Sequence, residues 1–151
     1  MAEVEVNTQI VIKKPIGEVS GFAAHPDNVP RWYKNIYEVK WVTELEIKVG
    51  SQIAFRARFL GKDMAYVYEI VVWEPEKRMV MRTADGPFPM ETTYLWEATE
   101  PNATKMTLIN RGKPSGFSKI LTPFMKMAMK KANTKDLQLL KEVLELDQTK
   151  N

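Results

Sequence analysis

The sequence predicts an α+β domain of two layers, an antiparallel sheet of about seven strands with one long C-terminal helix as its cover. Three observations predict it. Successive segments alternate apolar and polar residues, the period of a half-buried strand. Most of the turns between those segments are short, as antiparallel neighbours require. From Phe117 to about Leu146 the period changes to that of a helix, with Phe117, Leu121, Phe124, Met125, Ala128, Ala132, Leu139 and Val143 on one face. A stripe that long needs a wide apolar partner, and one face of the sheet supplies it.

The elements follow in order. Val4, Val6, Thr8, Ile10 and Ile12 form the inward side of a first strand, and Pro15 ends it. Residues 16–22 read as a short helix with Pro15 near its first turn. HPDNVPRWY (25–33) carries two prolines and an Asp-Asn pair, so a loop leads into a second short helix or turn. A strand spans about 35–42. The next, 51–60, sets Phe55, Ala57 and Phe59 against Arg56 and Arg58, and Leu60-Gly61-Lys62-Asp63 turns it back into a strand from Met64 to about Trp73. Glu74-Pro75-Glu76-Lys77 and Asp85-Gly86-Pro87 bracket a strand with Met79, Met81 and Thr83. Phe88, Met90, Thr92, Tyr94 and Trp96 then share one side of a strand, and a last strand spans 104–111.

Composition bounds the function. With 151 residues, 44% hydrophobic and 27% charged, the chain reads as one globular domain over residues 1–151 and not as a disordered segment. No apolar run approaches the roughly 20 residues that span a bilayer, and MAEVEVNTQ lacks a signal-peptide core, so a cytoplasmic location is expected. One histidine and no cysteine exclude a His-rich or Cys-rich metal site, although a carboxylate-only site stays open. No phosphate loop, dinucleotide fingerprint or nucleophile elbow is present, and no cofactor is expected. The net charge of +3 is uneven: Lys113, Lys119, Lys126, Lys130, Lys131 and Lys135 precede Asp136 without an intervening carboxylate. A solvated face accounts for the run. Contact of Lys119, Lys126 and Lys130 with an anionic membrane surface is the sharper alternative. Nucleic acid is not expected, because no aromatic-studded basic groove or nucleic-acid motif accompanies the lysines.

The ordered joints carry a resemblance. Pro15 before the first helix, VPRWYKNI (29–36), VGSQIAFRARF (49–59), YEIVVWEPEKRM (68–79) and LQLLKEVLE (137–145) together resemble the START-like superfamily, whose fold is called helix-grip or birch-pollen-allergen-like. The likeness is greatest to its polyketide cyclase/dehydrase and lipid-transport branch, and it covers essentially the whole chain. It implies a curved antiparallel sheet gripping the C-terminal helix, with a cavity between them for an apolar or amphipathic ligand. It does not fix a reaction, because that fold serves carriers and enzymes alike.

The side chains expected to form the ligand site are Trp32, Phe55, Phe59, Tyr66, Tyr68, Met79, Met81, Phe88, Met90, Tyr94 and Trp96, joined by Phe124, Met125 and Ala128 of the helix. Aromatic and methionine side chains suit an adaptable apolar pocket of several hundred cubic ångströms, and the tyrosine and tryptophan polar tips require partners when buried. No residue is assigned a catalytic role. Glu69, Glu91 and Glu97 fall opposite the apolar residues of their strands, where Arg56, Arg58, Arg78 or Arg82 pair with them. His25 reads as an exposed loop residue. Lys135 falls on the apolar helix face, which a kink, snorkelling to the rim, or an ammonium in the cavity would explain. The expected function is to hold a small hydrophobic or amphipathic ligand as carrier or sensor. The rivals are a cyclase or dehydratase using tyrosine acid–base chemistry, and an interaction module with a solid core. Oligomeric state, ligand identity and pathway are left open.

Overall fold

The computed structural model of the chain describes residues 3–113 and 122–146. Seven strands form one antiparallel sheet in the spatial order β1-β7-β6-β5-β4-β3-β2. They are β1 Val4–Ile12, β2 Ile36–Trp41, β3 Gln52–Phe59, β4 Lys62–Glu74, β5 Arg78–Asp85, β6 Met90–Glu100 and β7 Ala103–Gly112. From β2 to β7 each strand pairs with its neighbour in sequence, which is why the connections are short. β1 instead pairs with β7, so the chain must travel from one edge of the sheet to the other before β2 begins. Two helices make that journey: α1 (Ile16–Ala24) packs against β6 and β7, and α2 (Val29–Trp32) bridges β2 and the long helix α3 (Thr122–Leu146).

Local chemistry explains the joints. Pro15 takes the N-cap position of α1 in an extended conformation, and Glu18 sits in the first turn where a negative charge meets the positive helix end. Leu60 and Gly61 both adopt positive φ, 51° and 78°, the backbone that a two-residue hairpin turn demands between β3 and β4. Irregular pairing between Ile70 and Val72 marks a bulge in β4. A bulge bends and twists its strand, and the sheet curls into a half-barrel around the face it buries. Met79, Ile70, Ile53, Met106 and Leu108 are fully buried there, each stabilising the fold by about 1.5–3 kcal/mol through burial.

The phase of α3 differs from the expected stripe. Phe117 and Leu121 lie outside the described residues, and Phe124 is 63% exposed. The buried side is instead Met125, Asn133, Asp136, Leu137, Leu140 and Leu144, a rotation of about one residue, or roughly 100°. Leu139 and Val143 are half-buried at its margin. Hydrophobicity alone misplaced the stripe because two polar residues lie in the middle of the buried face. The rotation also answers the question of Lys135, which is exposed and needs neither kink nor cavity. Near its end α3 is fastened to β1 by Lys141 Nζ, which donates to the Val11 carbonyl at 2.9 Å, and by Glu145, which accepts from the Lys13 amide at 2.9 Å.

Candidate functional site

Between the curled sheet and the first half of α3 lies a cavity of about 150 Å³. β3 contributes Phe55, Ala57 and Phe59, and β4 contributes Met64, Tyr66 and Tyr68. These alternate along their strands, so strand period alone aims them at one side. Met81 of β5 and Met90, Thr92 and Tyr94 of β6 continue the wall, with Phe88 just before β6. Met125, Met129, Ala132, Asn133 and Asp136 close it from α3.

Nine of the expected ligand residues therefore line the cavity: Phe55, Phe59, Tyr66, Tyr68, Met81, Phe88, Met90, Tyr94 and Met125. Five do not. Trp32 is fully buried behind the wall, its ring 4.3 Å from that of Tyr33 and 5.7 Å from that of Tyr94, so it supports two wall residues. Trp96 stands at 6.0 Å from Tyr94 in the same supporting layer, and Met79 is fully enclosed in the core. Ala128 is half-buried outside the wall, and Phe124 faces solvent, both because α3 is rotated. The cavity is also smaller than the several hundred cubic ångströms expected. The aromatic side chains fill much of the space themselves, with ring centroids 5.6 Å apart for Phe55 and Tyr66 and 5.0 Å for Tyr66 and Tyr68.

The polar atoms are organised. Thr92 Oγ1 donates to Asn110 Oδ1 at 2.7 Å and lies 2.8 Å from the Tyr68 hydroxyl. A threonine has one hydroxyl hydrogen, so Tyr68 must be the donor in that contact. The Tyr33 and Tyr94 hydroxyls lie 3.1 Å apart. One donates to the other, which leaves the second with a hydrogen still to place. Burial pushes Tyr68 up to about 12 and raises Tyr33, Tyr66 and Tyr94 as well. These phenols remain protonated at neutral pH and act as hydrogen-bond donors rather than as bases.

Sequence reasoning missed the other polar end. Asp136 is 3% exposed and accepts the Lys34 backbone N–H at 3.1 Å, tying α3 to the segment between α2 and β2. Burial raises its carboxyl from 3.8 to about 6, with the Lys34 amide and ammonium opposing. Asn133, one turn before it, is 6% exposed, and its Nδ2 has no partner among the described residues. The signal was present in the sequence as two polar residues at helical spacing among apolar ones, but the chosen wheel phase set them outside the stripe. On the opposite face of the sheet, Glu91 holds Arg82 and Arg111 at 2.6 Å each, and Glu97 meets Lys105 at 3.6 Å. Arg78 pairs with Glu74 at 3.0 Å and Arg58 with Asp63 at 3.5 Å. Among the described residues no group of three His, Asp or Glu side chains is placed to hold a metal ion.

A curled seven-stranded antiparallel sheet, a long C-terminal helix and two short helices after β1 define the START-like class of folds. The chain belongs to the polyketide cyclase / dehydrase and lipid transport family, whose model matches residues 3–145. No curated protein matches the sequence. Solved structures that resemble it include a START superfamily protein from Mycobacterium smegmatis, at 11% identity and a TM-score of 0.81 over 95% of this chain and 98% of that one. The Zhui aromatase/cyclase from a Streptomyces species is 11% identical, with a TM-score of 0.78 over 95% of this chain and 94% of its own. A protein from Thermus thermophilus is 20% identical, with a TM-score of 0.78 over 91% and 94%. At such identities the likeness is one of fold.

Proposed function

We propose that the protein binds a small, mainly apolar ligand between the sheet and α3, as a carrier or sensor. The observation that carries this reading is the cavity itself, apolar over most of its wall yet furnished with a few placed polar groups, the usual composition of a ligand site. Its volume of about 150 Å³ suits a ligand of one ring or a short chain. The methionines of the wall lend it adaptability, since an unbranched thioether repacks at low cost.

Those methionines also supply the test. In a protein with isotopically labelled methionine methyl groups, titration with toluene should move the signals of Met64, Met81, Met90, Met125 and Met129. Met79 and Met106, fully buried elsewhere in the core, and exposed Met127 should stay in place. If no wall methionine responds while the protein remains folded, the cavity takes no ligand and the solid-core interaction module becomes the better reading.

A second reading, a cyclase- or dehydratase-type enzyme, draws support from Asp136. A carboxyl raised to about 6 is suited to exchange protons near neutrality, and it faces the same cavity as the Tyr33–Tyr94 hydroxyl pair. Turnover of a polyketide-like substrate that is lost in Asp136→Asn while binding persists would favour this reading over a carrier.

A further inference from the structure

We infer that Asn133 and Asp136 form a recognition site for the hydroxyl group of a neutral ligand, so that the cavity selects phenols or ring alcohols over carboxylates, amines and plain hydrocarbons. This rests on the reading of the cavity as a ligand site and names the chemistry of what enters it.

The two residues are three apart on α3, which puts them on the same helix face with Cβ atoms roughly 5–6 Å apart. Both border the cavity, and both are more than nine-tenths buried. Asn133 Nδ2 is a donor with no acceptor among the described residues. Among the described residues Asp136 accepts one hydrogen bond, from the Lys34 amide, whereas an ionised carboxylate has room for about four. A buried donor and a buried acceptor left unmatched each cost free energy, and side by side they call for a group that is acceptor and donor at once. A hydroxyl is the smallest such group. It accepts from Asn133 and donates to Asp136 without bringing a charge into the cavity.

The alternatives fit less well. An ammonium would satisfy Asp136 but leave the Asn133 donor unmatched. A carboxylate would meet the charge of Asp136 in surroundings that screen it poorly. Arg111 borders the cavity, but its guanidinium is turned to the opposite face of the sheet, where Glu91 engages it at 2.6 Å. Lys34, the cation acting on Asp136, lies in the segment before β2, and its side chain is exposed. The remaining titratable neighbours, Tyr33 and Tyr94, are neutral donors. Around this polar pair the wall is aromatic and thioether, the natural partner of a ring.

The experiment compares four one-ring probes of similar shape in the labelled protein: toluene, p-cresol, p-toluate and 4-methylbenzylamine. At neutral pH p-cresol should bind about tenfold or more tightly than toluene, a gain of about 1.4 kcal/mol, and more tightly than either ion. Asn133→Leu should abolish the preference of p-cresol over toluene while toluene still binds, which also reports that the variant is folded. Asp136→Asn keeps an acceptor for the Lys34 amide and removes the charge, so it should raise the affinity for p-toluate. Equal binding of p-cresol and toluene, or tightest binding of either ion, overturns the inference and leaves the ligand site standing. Failure of all four probes to bind removes both.

Discussion

Asp136 places a carboxyl among aromatic rings, and its ionisation there costs folding free energy. Its carboxyl rises from 3.8 to about 6 because burial penalises the charge. A carboxyl raised in the folded state favours folding at low pH, and that contribution is lost as pH climbs through about 6. A shift of about two units corresponds to about 3 kcal/mol. Asp63, Glu91 and Glu145 run the opposite way. Arg58 and Tyr37, the Arg82–Arg111 pair, and Lys13 with Lys141 respectively hold their carboxyls low, so their contributions fade as pH falls. Only a comparison with a variant isolates Asp136. Asp136→Asn should be more stable than the parent at pH 8 by about 2–3 kcal/mol, and nearly equal to it below the unfolded carboxyl value. Urea unfolding at both pH values measures this, and an equal difference at the two would show that the charge is not the cause. The residue was overlooked in the sequence because a polar side chain in a helix is read as exposed unless its environment is known.

At the level of elements, the strands were legible and the rotation of α3 was not. Strand period is two, so a single correctly placed inward residue fixes the rest, and Phe55 aligned with Phe59 just as Tyr66 did with Tyr68. A helix tolerates rotation, and counting the exposed Phe124 and the half-buried Ala128 as inward turned the expected stripe toward solvent. Two substitutions read the true phase. Ala132→Phe sends a ring into the cavity and should reduce toluene binding by about tenfold or more, with less than about 1 kcal/mol change in stability. Ala128→Phe, outside the wall, should leave toluene binding within about twofold of the parent. Thermal melts and methyl-shift titrations of both variants check the pair. The reverse ranking would restore the phase read from hydrophobicity.

The whole molecule joins its cavity to an outward helix face of mixed character. Phe124 and Met127 are 63% and 72% exposed on α3, and Lys126, Lys130 and Lys131 are exposed around them. Lys119, expected to share this face, lies outside the described residues. Apolar side chains ringed by cations are the arrangement that settles on an anionic lipid surface, where each lysine contributes about 1 kcal/mol. No described helix is long and apolar enough to cross a membrane, so such contact would be peripheral. Cosedimentation with anionic vesicles should weaken as salt rises and should drop in the Lys126→Gln, Lys130→Gln, Lys131→Gln variant. Neutral vesicles are the control. Binding that ignores both lipid charge and salt would assign these lysines to solvation.

By itself the sequence determined the strand count, the antiparallel order from β2 to β7, the two short helices after β1 and the inward set of each central strand. Those features are written locally, in periods of two and in turn residues such as Gly61 and Pro75, and need no knowledge of what lies across the core. Tertiary structure decided the rest. The pairing of β1 with β7 joins residues about a hundred positions apart, as Thr8 and Leu108 are. The rotation of α3 follows from packing against the curled sheet and from the Lys34–Asp136 hydrogen bond. The volume and polarity of the cavity depend on how Tyr33, Tyr94, Asn133 and Asp136, scattered along the chain, meet at one place. Burial and hydrogen bonding are properties of neighbours in space, and a periodic pattern in one segment carries no record of them.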